Sequence, residues 1–182
     1  CGSGALTRDL MQMGHSVVAL DCSENMIRTL MHYLGGRSEP RFLGAAIGSA
    51  GEVCLKSGAF DVIICVGVIQ YQRNPEIVFE EIYRLLKPGG ACVFTLPNQL
   101  SLHHILDPWC FARYIYRLAV YRLREGKSWL VSCRAALEGW DNTDDVYEKR
   151  YFRRDIPALV RALHIRETTG FGYGPFTIAN KP

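Results

Sequence analysis

The sequence predicts an α/β fold: an open, doubly wound, mostly parallel sheet with a helical cap inserted after its first part. Three observations carry this. Helix-like and strand-like segments alternate with short connections over residues 1–98. Residues 60–69 (FDVIICVGVI) are almost wholly apolar, the pattern of a parallel strand covered by helices on both faces and set in the middle of a sheet. Glycine pairs and a Pro-Gly-Gly run stand where the helical segments stop.

Taken in order, Cys1-Gly2-Ser3-Gly4 is a glycine turn opening a short helix over residues 5–13, with Leu6, Leu10 and Met13 at helical spacing and Gly14 behind them. Val17 to Leu20 read as a buried strand that ends at Asp21. Ser23 caps a second helix with Met26, Ile27, Leu30 and Leu34 on its apolar face, stopped by Gly35-Gly36. Phe42-Leu43 make a brief third strand, and the 60–69 run makes the fourth. Asn74-Pro75 supply an N-cap and a first-turn proline; Val78, Ile82, Leu85 and Leu86 form one face, and Pro88-Gly89-Gly90 ends that helix. Ala91 to Leu96 is the next strand. From 99 to about 150 the pattern turns aromatic and basic, and reads as a helical cap. Asp155-Ile156-Pro157 then restart a helix leading to a strand near 165–171, and no convincing last strand follows.

The chain has 182 residues, 48% hydrophobic and 21% charged, which fits a single globular domain and excludes disorder, a coiled coil and a collagen-like repeat. Its net charge of +3 lacks the basic excess of non-specific phosphate binders, which argues against a nucleic-acid partner. Seven cysteines, with no C-x-x-C pair, fit neither a zinc finger nor a disulfide framework. Cys65 and Cys92 sit inside apolar runs as small reduced core side chains, and a cytoplasmic setting follows. No apolar run reaches the roughly 18 residues of a membrane span.

Gly2 and Gly4 lie directly before a helix, where bare backbone lets a ligand approach the free N–H groups of the helix start. Asp21 ends the next strand, the position from which a carboxylate accepts the hydroxyls of a ribose lying across the strand tips. The two together are far more specific than either alone.

Four stretches in order resemble the class I S-adenosylmethionine-dependent methyltransferases of the small-molecule, quinone type, and carry with them a Rossmann-like fold. Cys1 to Gly4 is similar to the end of that family's glycine turn, and Asp21-Cys22-Ser23-Glu24-Asn25-Met26 to its ribose-acid segment. Phe60 to Cys65 with Gly67-Val68-Ile69-Gln70-Tyr71 resembles its fourth-strand motif, and Leu86-Lys87-Pro88-Gly89-Gly90 its turn before the fifth strand. The resemblance implies a cofactor-binding core over 1–98, a substrate cap over 99–150 and a return to the core over 151–182, all in one domain. S-adenosylmethionine is the implied cofactor. Gly2 and Gly4 would make room for its methionine portion, with Cys1 and Ser3 of the same turn also binding the cofactor, Asp21 would hold its ribose, and Cys22 and Met26 would flank its adenine. Cys65 and Val66 would lie near the methionine group, with Gln70 and Tyr71 facing the transferred methyl.

Three departures accompany the resemblance. The family's first glycine, its acid and the strand before them are absent, and with the missing last strand the chain reads as trimmed at both ends. Where the family often has Gly-Asp-Ala after the third strand, Gly44-Ala45-Ala46 has no acid, so adenine recognition falls to main-chain groups around Ala46 and Ile47. Methyl transfer is an in-line displacement that depends on alignment, with a general base needed only for an acceptor of high pKa. No catalytic residue is assigned firmly; Tyr71, His103 and His104 are candidate bases, and Tyr71 reads equally as a rim aromatic. No metal site is expected, His103 and Asp107 lacking a third ligand.

The implied acceptor is a small or lipid-like molecule. Residues 111–124, with Arg113, Arg117 and Arg124 on one face, read as a cap helix with a solvated basic side or as a peripheral membrane contact. Two rival readings share parts of the pattern. A nicotinamide-dependent oxidoreductase would use the same glycines and Asp21, but Thr7 stands where its third glycine belongs; a catalytically silent nucleotide-binding module would keep the sheet without turnover.

Overall fold

The computed structural model describes residues 1–35, 39–97, 151, 153–171 and 174–182, with Ala112, Ile115, Tyr116 and Ala119. The chain forms two compact units, Cys1–Cys54 and Leu55–Pro182. Nearly all of the cap segment, including His103, His104 and the arginines of 111–124, lies outside the described residues.

In the first unit the order is α1 (Ala5–Gln12), β1 (Val17–Asp21), α2 (Glu24–Tyr33) and β2 (Phe42–Ile47). Strands β1 and β2 pair in parallel from Val17 opposite Phe42 to Asp21 opposite Ile47, with one extra residue, Leu43, bulged near the start. Strand β2 is thus longer than the two residues, Phe42-Leu43, that sequence suggests, because its Gly44-Ala45-Ala46 stretch has little hydrophobic pattern of its own. Met11 of α1, Ala19 of β1, and Ile27 and Leu30 of α2 form the unit's buried apolar centre. The Ser23 hydroxyl accepts the Met26 N–H at 3.4 Å and starts α2 as its sequence foretells.

The second unit holds β3 (Phe60–Cys65), a 3₁₀ turn (Ile69–Tyr71), α3 (Pro75–Leu85), β4 (Leu86–Thr95), a second 3₁₀ turn (Arg153–Asp155), α4 (Ile156–Leu159), β5 (His164–Phe171) and β6 (Gly174–Asn180). Its sheet runs β3-β4-β6-β5, with β3 and β4 parallel and β6 antiparallel to both of its neighbours. Helix α3 buries Val78, Phe79, Ile82 and Leu85, and Phe79 meets Phe94 of β4 edge-to-face at 4.9 Å between ring centroids.

Four expectations are corrected here. A last strand does exist: β6 alternates buried Thr177 and Ala179 with half-buried Ile178 and Asn180, a short period-two signal that a glycine-proline start conceals. Within its sheet β3 is an edge, and Val62 (52% exposed) and Ile64 (36%) are not covered on their face. Helix α3 ends at Leu85, Leu86 is already extended at φ −70° and ψ 140°, and Pro88-Gly89-Gly90 belongs to β4. There the register jumps from Phe60 opposite Leu86 to Val62 opposite Ala91, so the Pro-Gly-Gly run is a bulge in a strand rather than a helix stop. Finally, Asn74 occupies the N-cap position of α3 but its side chain makes no capping hydrogen bond; Pro75 at the first helical position removes one N–H that a cap would otherwise serve.

Among the described residues no helix is long and apolar enough to cross a membrane.

Candidate active site

Gly4 is the residue on which the first unit turns. It sits at φ 90° and ψ 10°, and a Cβ added there would come within 2.2 Å of Leu30 Cδ1, so both its conformation and its closeness to α2 require glycine. Gly2, at φ 56°, has nothing within 4 Å of the place a Cβ would take, so its face of the turn is open. No side chain caps α1, which leaves the N–H groups of its first turn free to meet a ligand.

Asp21, at the end of β1, reaches back to this turn. Its Oδ2 accepts the Gly2 N–H at 2.9 Å and its Oδ1 accepts the Ser23 N–H at 2.9 Å, while the terminal ammonium of Cys1 stands 2.8 Å from Oδ2. The Cys1 nitrogen also donates to the Leu20 carbonyl at 2.9 Å. Burial by itself pushes the Asp21 pKa up, but the terminal ammonium of Cys1 and the hydrogen bonds from Ser23 and Gly2 outweigh it and leave the carboxyl below its ordinary value. The Asp21 carbonyl in turn accepts the Gly48 N–H at 3.0 Å, which fixes the end of β2 beside it.

Around this carboxylate the strand ends present apolar surface. Ile47, opposite Asp21, is 57% exposed; Met26 is 40% exposed, and Cys22 is exposed as well. A charge-bearing hydrogen-bond acceptor flanked by exposed apolar side chains, beside a glycine turn at an uncapped helix start, fits a nucleoside with a charged amino-acid tail. Ala46 is half-buried in the same strand, and Ser3 is exposed on the turn. The structure therefore brings Cys1, Gly2, Ser3, Gly4, Asp21, Cys22, Ala46 and Ile47 to one end of the first unit, with Met26 in the first turns of α2.

In the second unit Cys65, Val66, Gln70 and Tyr71 cluster at the carboxyl end of β3. The Cys65 thiol is buried and its pKa is pushed up to about 12 by that burial, which makes it a packing group rather than a nucleophile. Burial raises the Cys92 pKa as well. Val66 and Tyr71 are 47% and 46% exposed, while the Gln70 Oε1 is buried with no hydrogen-bond partner. Sequence reasoning missed Thr95, whose hydroxyl accepts the Gly67 N–H at 3.0 Å and ties the loop carrying Gln70 and Tyr71 to the end of β4. Nothing in the sequence signals it, since the partners are 28 residues apart. It also missed Leu30, which underlies Gly4. Among the described residues no group of three or more His, Cys, Asp or Glu is placed to hold a metal ion, and the five described cysteines are free.

The sequence pattern of the Methyltransferase domain matches residues 1–94. A ubiquinone biosynthesis O-methyltransferase of Cronobacter sakazakii is 22% identical over 183 residues, covering 100% of this chain and 73% of that protein. Those of Thiobacillus denitrificans and Caulobacter vibrioides are 30% and 33% identical, over 65% and 54% of this chain, which spans only 50% and 39% of their lengths. Among solved structures, an S-adenosylmethionine-dependent methyltransferase of Methanosarcina mazei superposes with a TM-score of 0.71 at 17% identity, covering 100% of this chain and 89% of that one. One from Clostridium acetobutylicum gives 0.68 at 15% identity, covering 100% and 81%. The place of a dinucleotide fold's third glycine is held by buried Thr7, and the oxidoreductase reading finds no support. With its glycine turn, its Asp21 and a sequence pattern matched over the first 94 residues, the chain belongs to the methyltransferase domain family and has the Rossmann-like fold of the class I S-adenosylmethionine-dependent enzymes.

Proposed function

We propose that the protein transfers a methyl group from S-adenosylmethionine to a hydroxyl of a small or lipid-like acceptor. The observation that carries this is the Asp21 carboxylate bonded to the glycine turn at the end of β1, with exposed Cys22, Met26 and Ile47 beside it. Gly2 and Gly4 make room for the methionine portion and Asp21 takes the ribose. Cys22 and Met26 flank the adenine, whose polar edge meets the main chain at Ala46 and Ile47. The cofactor supplies an activated methyl on a positively charged sulfur.

The residues contributed by this chain align the acceptor and exclude water, the usual source of acceleration for a displacement of this kind. The choice of a hydroxyl rests on the relatives, which are O-methyltransferases by name.

The test has two parts. Calorimetric titration with S-adenosylhomocysteine should show one site per chain. Incubation with methyl-labelled S-adenosylmethionine and an alkyl-substituted catechol should give a labelled aryl methyl ether. A solved structural neighbour, the 4+2 cyclase SpnF, shares the fold at a TM-score of 0.68, so the deciding readout is transferred label and not binding. Binding without label on any catechol, phenol or amine tested would select the silent-module reading.

A further inference from the structure

We infer that Asp21 is a positioning residue for the glycine turn before it is a ligand for ribose. This goes beyond the S-adenosylmethionine reading and rests on it only for the choice of ligand in the test. Two main-chain N–H groups from two places in the chain converge on the one carboxylate: Gly2 on Oδ2 and Ser23 on Oδ1. Each carboxylate oxygen has two lone pairs, so beyond Gly2 and Ser23 one place on each oxygen remains for a further donor.

Asp21 thus links three things that a nucleotide needs fixed relative to one another. These are the bend that carries Gly2, the end of β1, and the start of α2, where the Ser23 hydroxyl takes the Met26 N–H. Among the described residues no other side chain hydrogen-bonds to the turn: Gly2 and Gly4 have none, and the Cys1 thiol bonds to the neighbouring Gly2 carbonyl. A carboxamide cannot replace the carboxylate. Whichever way Asn is turned, its NH2 faces an N–H donor of the turn or of Ser23, and a donor facing a donor is repulsive.

The role is separable from ribose binding by experiment. In the complete chain without ligand, scalar couplings across the hydrogen bonds should connect the Gly2 and Ser23 amide nitrogens to the Asp21 carboxyl carbon. No variant is needed for that measurement. In a second arm, Asp21→Asn is titrated with S-adenosylhomocysteine and with an analogue lacking both ribose hydroxyls. A positioning residue predicts that the variant weakens both ligands, the analogue by about tenfold, because the turn is disordered for either one. If the couplings are missing, or if Asp21→Asn binds the hydroxyl-free analogue as tightly as the unaltered protein does, Asp21 is a ribose contact alone and the inference falls. If the unaltered protein binds neither ligand, the cofactor reading fails and the couplings alone decide the positioning role.

Discussion

The two units use side-chain charge on opposite ends of the peptide group. In Cys1–Cys54 a carboxylate, Asp21, collects main-chain N–H groups. In Leu55–Pro182 two cations collect main-chain carbonyls. Arg84 donates to the Leu55 carbonyl at 2.9 Å while holding Glu81 through two 2.7 Å contacts, and Lys181 donates to the Tyr83 and Leu86 carbonyls at 3.0 Å each with its ammonium 4.3 Å from the Tyr83 ring centre. The cationic clamps close the carboxyl end of α3 onto its neighbours. The anionic one sits among glycines, with open space on the turn and lone pairs to spare. One arrangement is scaffold and the other is site, and substitutions should divide the same way between stability and affinity.

The largest effect is expected in the scaffold. Phe94→Ala removes a fully buried ring in edge contact with Phe79 and should cost about 3 to 5 kcal/mol of stability in thermal unfolding, with cofactor affinity per folded molecule unchanged. Gly4→Val comes next. Its Cβ collides with Leu30 and its backbone is held at φ 90°, so a loss of roughly 2 to 4 kcal/mol is expected together with complete loss of S-adenosylhomocysteine binding by calorimetry. Stable, binding-competent Gly4→Val protein would contradict the close approach of turn and helix.

Asp21→Ala should weaken S-adenosylhomocysteine by about 1 to 3 kcal/mol through lost charge-assisted hydrogen bonds, with a smaller effect on unfolding. The same group sets a pH dependence. Its folded pKa is depressed, so its contribution to stability is fully present above the unfolded carboxyl value and is lost as pH falls through the lower, folded value. Unfolding midpoints measured from pH 6 downward should therefore fall less steeply in Asp21→Ala than in the unaltered protein. Smallest is Lys181→Met, which gives up the clamp on Tyr83 and Leu86 for about 1 kcal/mol of stability and leaves ligand affinity as it was. A change in affinity for this variant would blur the division between scaffold and site.

Much of the site is legible in the sequence because its parts are local. A glycine turn, a strand and a terminal aspartate are each readable from a few neighbouring residues, and the spacing between Gly4 and Asp21 leaves room for one helix and one strand. The contacts that complete them are not local. Leu30 beneath Gly4 and Thr95 behind Gly67 are chosen by packing, and no periodicity points at either. The apolar run at 60–69 misled for a related reason: composition says that a strand can be buried on both faces, whereas Val62 and Ile64 stay exposed, and whether a second layer covers a face is decided by distant parts of the chain. Strand β6 escaped notice because its alternation covers few residues and its meaning depends on β4 and β5, between which it lies.

That insertion of β6 sets an order on synthesis. Among the described residues β5 pairs only with β6, although β5 leaves the ribosome first. Until the chain has been extruded beyond Asn180, the open flank of β4 and both flanks of β5 have no backbone partner among the described strands. A nascent chain stalled at Phe171 would thus carry a half-built sheet with exposed edges, a form prone to capture by chaperones or to adventitious strand pairing.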